Sequence, residues 1–498
     1  MSNSGEKPVA VDNGTHNCKA AYVDATERPV AVQNKRGDFC TPSVIAFDDD
    51  GKPFLIGQEA LSEGFVRPDR VIANFKLKLG SDEVLYKGDK DYIATDLVAL
   101  MLKYMKEQIE QATNTTVTSA VLSCPANTRD DFRAALIAAA KMAGIETITL
   151  ITEPAAAGLA YAYNKQYDRR FVVFDLGGGT LDVSIIEVSG NNITVTGTEG
   201  VPQLGGRDFT ARLEKRILDE FIRQTGENPS RQDDPHFFQE LYQKAESAKI
   251  TLSEREDRTV VIGCRGKQAI VKVTRKEFVS MCSDLFDKCI DCANKTIKAR
   301  NHTWKDIDSL VMVGGSSRMP YIQEQLANVS GLAPKNDISP DRAVALGAAL
   351  KARLVLGEKG VLPHPGIFVR EVSSHDLGCC VLKPGGKGED DLVQVALIPK
   401  NTPVPAQKAD SFFLQHEDQT AVKIIIAQGD DGSPLKQCLK IGEIQLDNLP
   451  KESKRTQRIK VDYTLDSNGM AKVTATDLVG GASQAVSIDC KQSIGPNT

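Results

Sequence analysis

The first three quarters of the chain carry apolar runs that predict buried strands joined by turns and helices. Residues 171–186, FVVFDLGGGTLDVSII, form an apolar arm that ends at Asp175, a turn with three consecutive glycines and a second, alternating arm. Residues 9–23, VAVDNGTHNCKAAYV, repeat this order with Asp12 before a shorter glycine turn. Two hairpins of one design predict an internal duplication.

Two further pairs of segments support the duplication. Residues 119–125 and 309–315 have the pattern of buried strands, and each leads into a helix-like stretch. Residues 152–162 and 339–352 are rich in Ala and Gly, and each opens with a hydroxyl residue, a proline and an acidic residue, as helices often do. Because three elements recur in the same order, we predict an α/β domain built from two duplicated halves.

Near residue 372 the pattern changes to short alternating strands separated by turn signals. Two prolines and three glycines in residues 355–372 mark a boundary before it, and residues 467–469 predict a hairpin with a two-residue loop. No helical segment is expected after these strands. The predicted organisation is an α/β domain at 1–358, a linker at 359–371, an all-β sandwich at 372–490 and a short polar tail at 491–498.

Composition and charge narrow the class of protein. The 498-residue chain is long enough for two to four domains, and its net charge of -5 argues against nucleic acid and anionic membranes as partners. The chain start has no apolar signal core, and no run approaches the roughly 20 apolar residues of a membrane span, so we expect a cytoplasmic protein. Eleven cysteines fit reduced thiols better than a disulfide framework. Cys282, Cys289 and Cys292 are interpreted as helix packing, with a metal site as the alternative.

The glycine turns carry the candidate chemistry. Glycines reach positive φ and bring successive N–H groups to an anion, and Thr180 adds a hydroxyl donor. A carboxylate cannot bind phosphate directly, so Asp175 fits such a site when hydrated Mg²⁺ lies between them. The sequence has neither GxxxxGK[ST] nor GxGxxG, which excludes the Walker and dinucleotide-binding folds. A glycine-rich hairpin without a ligand is the alternative for either turn taken alone.

Four segments together resemble one protein family. VFDLGGGTLDVS, TEPAAAGLAYA, VMVGGSSRMP and IPKNTPVPAQK are similar to motifs of the DnaK-type, seventy-kilodalton heat-shock chaperones, and the likeness runs from residue 9 to about residue 490. The resemblance implies a duplicated ribonuclease-H-like ATPase domain of the actin and sugar-kinase type, followed by a peptide-binding β-sandwich. The chain resembles a short form of this family that lacks its helical lid.

The resemblance also implies ATP and Mg²⁺ as cofactors and a role for each matching residue. Asp12 and Asp175 would hold Mg²⁺ through water. The implied catalytic residues are Lys76, Glu153, Asp175 and Thr180. The implied nucleotide-binding residues are Asp12, Gly14, Thr15, His16, Asn17, Gly177, Gly178, Gly179, Thr180, Glu246, Lys249, Ser253, Gly314, Gly315, Ser316, Arg318 and Asp341. The implied peptide-groove residues are Cys379, Val381, Phe412, Val422 and Ile424.

His16 stands where the family has a threonine in the first phosphate turn. Imidazole is bulkier than the threonine side chain, and it titrates near neutrality. We therefore hypothesise that turnover changes between about pH 6 and 8 more in this protein than in His16→Thr.

The function that the sequence predicts is an ATP-dependent chaperone of the heat-shock, stress-response type. It would bind exposed apolar peptide segments of unfolded proteins, hydrolyse ATP slowly, and work with J-domain and nucleotide-exchange co-chaperones. The alternative, favoured by His16, is a nucleotide-binding scaffold or regulator of a full-length chaperone with little turnover. A sugar kinase or a filament-forming protein ranks third, because neither contains a β domain of this kind.

Overall fold

The computed structural model of the protein describes residues 6–163, 169–335, 339–386, 388–416, 418–451 and 457–487. The chain divides into two compact units. Unit 1 comprises residues 1–78, 83–126 and 140–369, and unit 2 comprises residues 79–82, 127–139 and 370–498. The predicted polar tail at 491–498 and the last three residues of the predicted sandwich, 488–490, lie outside the described residues.

Strands and helices are mixed along the chain as far as Glu358. The strands are β1 (Val9–Asp12), β2 (Asn17–Val23), β3 (Pro29–Ala31), β4 (Thr41–Pro42), β5 (Val44–Phe47), β6 (Pro53–Ile56), β7 (Val71–Ala73), β8 (Val84–Lys87), β9 (Asp91–Ile93), β10 (Ser119–Cys124), β11 (Thr147–Thr152), β12 (Arg169–Leu176), β13 (Leu181–Ser189), β14 (Asn192–Val201), β15 (Asp257–Cys264), β16 (Lys267–Thr274), β17 (Ser309–Val313) and β18 (Pro334–Lys335). The helices are α1 (Gln58–Glu63), α2 (Ala94–Thr113), α3 (Asp130–Met142), α4 (Glu153–Ala162), α5 (Gly206–Thr225), α6 (Pro235–Glu254), α7 (Arg275–Met281), α8 (Ser283–Ala299), α9 (Pro320–Ser330) and α10 (Ala343–Glu358). Short 3-10 helices span Pro68–Arg70, Phe75–Lys78, Trp304–Asp306 and Gly315–Arg318.

Two sheets in unit 1 repeat one topology, as the paired sequence patterns predict. The first has the strand order β11-β10-β1-β2-β3, and the second has the order β18-β17-β12-β13-β14. In the first sheet β1 is parallel to β10 and antiparallel to β2. In the second sheet β12 is parallel to β17 and antiparallel to β13. The two predicted glycine hairpins are therefore β1–β2 and β12–β13, and they occupy equivalent positions in the two sheets.

The alternation of β12 divides its side chains between a core and the opposite face of the sheet. Phe174 belongs to a buried core that also contains Phe209 of α5 and Phe286 of α8. Asp175, the next residue, faces the other side and is also buried. The apolar run of the sequence thus fixes one face of the strand in the core and leaves the other face for the carboxylate.

The two Ala-rich helices of the duplication, α4 and α10, pack against each other. A Cβ atom added at Gly347 of α10 would lie only 1.7 Å from the carbonyl oxygen of Ala156 in α4. Glycine is therefore required at this contact, because only the absence of a side chain lets the two backbones approach so closely. The small residues that the sequence repeats serve the packing of helix on helix.

Unit 2 contains two four-stranded antiparallel sheets, with orders β21-β20-β24-β25 and β23-β26-β27-β28. One apolar core contains residues of both sheets, among them Ile426 and Tyr463, so the unit is a β-sandwich. The strands that follow α10 are β19 (Phe368–Val372), β20 (Leu377–Leu382), β21 (Leu392–Ile398), β22 (Pro403–Val404), β23 (Ala406–Phe413), β24 (Val422–Gln428), β25 (Leu439–Leu446), β26 (Gln457–Leu465), β27 (Ala471–Asp477) and β28 (Ser483–Ser487), with 3-10 helices at Glu389–Asp391 and Leu435–Gln437.

The turn between β26 and β27 is wider than the predicted two-residue loop. The amide of Asp466 donates to the carbonyl of Met470, which leaves three residues in the loop, and Gly469 has φ 73°. The carboxylate of Asp466 accepts the amides of Asn468 and Met470. These side-chain hydrogen bonds stabilise the wider turn.

The described cysteines are free, and Cys282, Cys289 and Cys292 are buried against the core of unit 1. Within the described ranges, no group of three or more His, Cys, Asp or Glu residues could hold a metal ion. The burial of these three cysteines in the core agrees with their interpretation as helix packing. In the same ranges, no helix is both long and apolar enough to cross a membrane.

Candidate functional site

A cavity of about 890 Å³ in unit 1 receives residues from both glycine hairpins. Nearly all of the residues that the resemblance assigns to a nucleotide line this cavity. They are Asp12, Gly14, Thr15, His16, Asn17, Lys76, Glu153, Asp175, Gly177, Gly178, Thr180, Glu246, Lys249, Ser253, Gly314, Gly315, Ser316, Arg318 and Asp341. Gly179 does not line the cavity. A Cβ atom added at Gly179 would lie 2.9 Å from the side chain of Leu77 and 3.1 Å from that of Thr15.

The two aspartates that end the first arms of the hairpins are both buried in the cavity wall. Asp12 Oδ1 accepts a hydrogen bond from Ser123 at 2.8 Å, and Asp12 Oδ2 lies 2.9 Å from Lys19 Nζ. The pKa of Asp175 is raised well above its usual value by burial and by the carboxylates of Glu153, Asp182 and Asp12. Within the described residues these carboxylates do not form a set that could ligate a metal directly, so a divalent cation would fit here only as a hydrated ion held through water by Asp12 and Asp175.

Lys76 and Glu153 form a buried ion pair at the cavity wall. Lys76 Nζ lies 2.8 Å from Glu153 Oε1, and both side chains are almost inaccessible to solvent. Burial opposes the charge on the ammonium, but the adjacent Glu153 carboxylate outweighs burial, so the pKa of Lys76 is raised. Lys76 therefore keeps its positive charge at neutral pH.

Glu246 and Lys249 lie one turn apart on α6 at another wall of the cavity. From the sequence alone such a pair is expected to be solvated, but Lys249 is buried in the structure. Its Nζ donates to Glu246 Oε2 at 2.6 Å and to the carbonyl of Gly206 and the hydroxyl of Thr210 at 2.9 Å. These contacts hold both charged groups in fixed positions, because each has partners on α5 as well as on α6.

The turn after β17 brings backbone close to the second hairpin. Gly314 has φ 79°, and a Cβ there would lie 2.4 Å from the carbonyl oxygen of Leu176. Beyond the turn, Arg318 donates to Asp341 Oδ2 at 2.5 Å and keeps half of its side chain exposed. A planar guanidinium with a free face is suited to stacking on a purine ring.

His16 connects the first hairpin to α6 across the cavity. Its Nε2 lies 3.1 Å from the hydroxyl of Tyr242, and its buried Nδ1 has no hydrogen-bond partner within the described residues. The pKa of His16 is lowered from 6.5, chiefly by burial, although Glu246 opposes this effect. The imidazole is therefore neutral near pH 7, and its buried Nδ1 lies against Gly178, where an added Cβ atom would be 3.3 Å away.

We expect the lowered pKa of His16 to appear in the pH dependence of stability. Because the folded protein resists protonation of His16, the contribution of His16 to stability is fully present above its ordinary pKa of 6.5. This contribution is lost as the pH falls toward the lower pKa of His16 in the folded state. The melting temperature of the protein should therefore fall further than that of His16→Thr between about pH 7 and 5. Thermal unfolding of both proteins in EDTA measures the difference, and His375, whose burial lowers its pKa to about 4, contributes equally to both.

The sequence-based hypothesis about turnover between about pH 6 and 8 stays a prediction. Burial shifts the titration of His16 toward the acidic side of that window. Parallel melting curves of the two proteins at every pH would contradict the buried, neutral imidazole.

The sequence patterns did not single out Lys19 and Tyr242. Lys19 lies directly opposite Asp12 in the β1–β2 pair, a relation that the seven-residue spacing across a hairpin turn could have revealed. Tyr242 lies 226 residues from His16, so no local pattern could have joined them. The position of Lys19 follows from strand register, and the position of Tyr242 follows from tertiary packing.

The five residues implied for a peptide groove all belong to unit 2. Cys379 and Ile424 lie inside the core of the sandwich, and Val381, Phe412 and Val422 are half-buried against it. Burial raises the pKa of the Cys379 thiol to about 12, as expected for an inert core cysteine. The three half-buried side chains are those that a ligand could reach.

The repeated sheets, the cavity lined by glycine turns and paired carboxylates, and the β-sandwich that follows are consistent with a duplicated, actin-like nucleotide-binding domain followed by a β-sandwich. The family model for the Hsp70 protein matches residues 8–84 and 82–497, and the chain belongs to the Hsp70 family. Membership of this family places the chain among molecular chaperones, with the general properties of an ATPase that binds ATP and Mg²⁺.

Proposed function

We propose that this chain is an ATP-dependent molecular chaperone that binds Mg·ATP in the cavity of unit 1 and exposed apolar peptide segments in unit 2. One observation supports the nucleotide site most strongly. Both hairpins of the duplication bring their aspartates, Asp12 and Asp175, to a single cavity that also holds the Lys76–Glu153 ion pair. Slow hydrolysis of ATP is the proposed reaction.

The phosphate end of the site is formed by the two glycine turns. Gly14, Gly177, Gly178 and Thr180 line the cavity wall. The amides of Gly14 and Gly177 donate to the carbonyls of Asp12 and Thr180 within their own turns, so phosphate contact is proposed through Gly178 and the hydroxyl of Thr180. Bound Mg²⁺, held through water by Asp12 and Asp175, would neutralise charge on the phosphates.

Three other residues of the cavity position the attack of water on the terminal phosphate. Lys76 places a positive charge beside the reacting phosphate, and Glu153, held by Lys76 at 2.8 Å, orients the attacking water. Thr180 contributes a hydroxyl donor from the second turn. At the other end, Glu246, Lys249, Ser253, Arg318 and Asp341 line the part of the cavity proposed for adenosine.

Peptide binding in unit 2 rests on the half-buried residues Val381, Phe412 and Val422. Val381 follows Cys379 by two positions on β20, so both side chains share one face of the sheet. Burial of one leucine side chain of a client in such a site contributes about 1.5–3 kcal/mol, which supports only weak binding to a single apolar segment. Client release is therefore expected to be fast.

A second function from a different class is favoured by the Asp12–Lys19 ion pair. An ammonium group 2.9 Å from a proposed metal-site carboxylate reduces the charge available to hold Mg²⁺. A chain of this kind that binds nucleotide with little turnover would serve as a scaffold or as a regulator of a full-length chaperone. Nucleotide binding is common to both proposals, and hydrolysis separates them.

Two measurements test the proposed function. Calorimetric titration with ATP in the presence of Mg²⁺ should show binding at a single site. Steady-state ATP hydrolysis should be slow and should rise when an apolar heptapeptide is added. Binding without turnover would favour the scaffold or regulator, and the absence of any ATP binding would overturn both proposals.

A further inference from the structure

Strand register, rather than side-chain flexibility, places Lys19 beside Asp12. Lys19 is the residue directly opposite Asp12 in the antiparallel β1–β2 pair. Side chains of such a pair lie on the same face of a sheet, within reach of each other. Lys19 Nζ lies 2.9 Å from Asp12 Oδ2, and Lys19 lines the cavity.

The equivalent position in the second hairpin has the opposite charge. Asp175 lies directly opposite Asp182 in the β12–β13 pair, and each pair of residues is seven positions apart in the chain. Asp182 is buried, as Asp175 is. The two halves of the duplication thus place a carboxylate–ammonium pair on one side of the cavity and a carboxylate–carboxylate pair on the other.

Cross-strand ion pairs also occur at the surface of this protein, and one of them shows what is particular about Lys19. Lys272 Nζ lies 2.9 Å from Asp257 Oδ2 across β15 and β16, with more than half of each side chain exposed. The side chains of Lys19 and Asp12 are 16% and 5% exposed. The Lys19 pair is thus held at the wall of a cavity, where electrostatic interactions are screened less than at the surface.

We propose that Lys19 is a built-in cation of the nucleotide site, which lets the cavity bind ATP with only a weak requirement for Mg²⁺. This inference rests on the proposed nucleotide site and deepens it. By neutralising Asp12, the ammonium removes a repulsion between that carboxylate and metal-free phosphates. The same neutralisation lowers the attraction of the site for a divalent cation, so the gain in ATP affinity on adding Mg²⁺ is small.

The test compares ATP affinity in excess Mg²⁺ with ATP affinity in EDTA, by calorimetric titration of the full chain. For the unaltered protein we expect the two dissociation constants to differ by less than about tenfold, and for Lys19→Met we expect this ratio to grow by roughly ten- to a hundredfold. Lys19→Arg keeps the charge and should retain the ratio of the unaltered protein. Lys272→Met removes an ion pair with the same N–O distance outside the cavity, and should leave the ratio unchanged.

Each outcome decides the inference. An equal ratio in Lys19→Met and the unaltered protein, with ATP still bound, overturns the role of Lys19 and leaves the proposed function standing. If the unaltered protein binds no ATP even with Mg²⁺, the proposed function fails and the inference fails with it. If Lys19→Met does not fold, the unaltered protein still decides, because a ratio above about tenfold contradicts a built-in cation.

Discussion

Asp175→Asn is expected to have opposite effects on nucleotide binding and on the stability of the metal-free protein. The amide cannot hold a metal ion through water as a carboxylate does, so the affinity for Mg·ATP should fall by about tenfold, the most that Mg²⁺ is expected to contribute in the unaltered protein. In EDTA the melting temperature should rise. Burial and three neighbouring carboxylates raise the pKa of Asp175, so its ionised form weakens the folded state at pH above the ordinary pKa of an aspartate.

The two effects separate a role in metal binding from a role in folding. Asp175→Asn should bind metal-free ATP at least as well as the unaltered protein does, because it removes a negative charge from the cavity. Asp287→Asn, which changes an exposed carboxylate outside the cavity, is the control and should leave the affinity for Mg·ATP unchanged. A fall in melting temperature together with equal losses of ATP affinity in Mg²⁺ and in EDTA would indicate that Asp175 is structural only.

Lys76→Met is expected to slow ATP hydrolysis far more than it weakens ATP binding. If the ammonium acts on charge that develops in the transition state, its removal should lower kcat by on the order of 10²- to 10³-fold, with a change in ATP affinity below about tenfold. The single variant also leaves Glu153 buried without this cation, which costs about 3–5 kcal/mol of folding stability. Single-turnover hydrolysis and calorimetric titration measure the two effects on ATP.

The double variant Lys76→Met with Glu153→Gln removes both charges of the buried pair. It should recover most of the stability lost in Lys76→Met, since Glu153 no longer leaves a buried charge without its partner. It should not recover hydrolysis, because neither the cation nor the water-orienting carboxylate is present. Recovery of hydrolysis together with stability would show that the ion pair only maintains the fold.

The features that local pattern determines were predicted from the sequence. The two hairpins, the Ala-rich helices and the change to alternating strands near residue 372 each depend on the periodicity of apolar side chains. The loop of residues 467–469 was predicted too short, because the carboxylate of Asp466 accepts two backbone amides of its own turn. A side chain that replaces backbone hydrogen bonds changes the turn without changing the pattern of apolar residues.

The sequence indicates which residues could form the candidate site better than it indicates the burial and the pKa of those residues. Glycine turns and strand-end aspartates are local signals, and the structure brings them to one cavity. Burial of Lys249 and the lowered pKa of His16 depend on packing against α5 and α6, which no short segment encodes. Lys19 is intermediate: its spacing from Asp12 is visible in the sequence, but its charge matters only once the hairpin register is known.

The contact between Gly347 and Ala156 fixes the distance between α10 and α4 close to Glu153, one of the proposed catalytic residues. Ala156 lies one helical turn after Glu153, on the helix that packs on β12 and β13, whereas α10 packs on β1, β2 and β10. Backbone meets backbone there, with no side chain between to absorb a change. A larger side chain at position 347 would push α4 away from α10 and would displace Glu153, which lies on α4. Residue 347 touches no proposed ligand, yet it has as little freedom to vary as the residues that do.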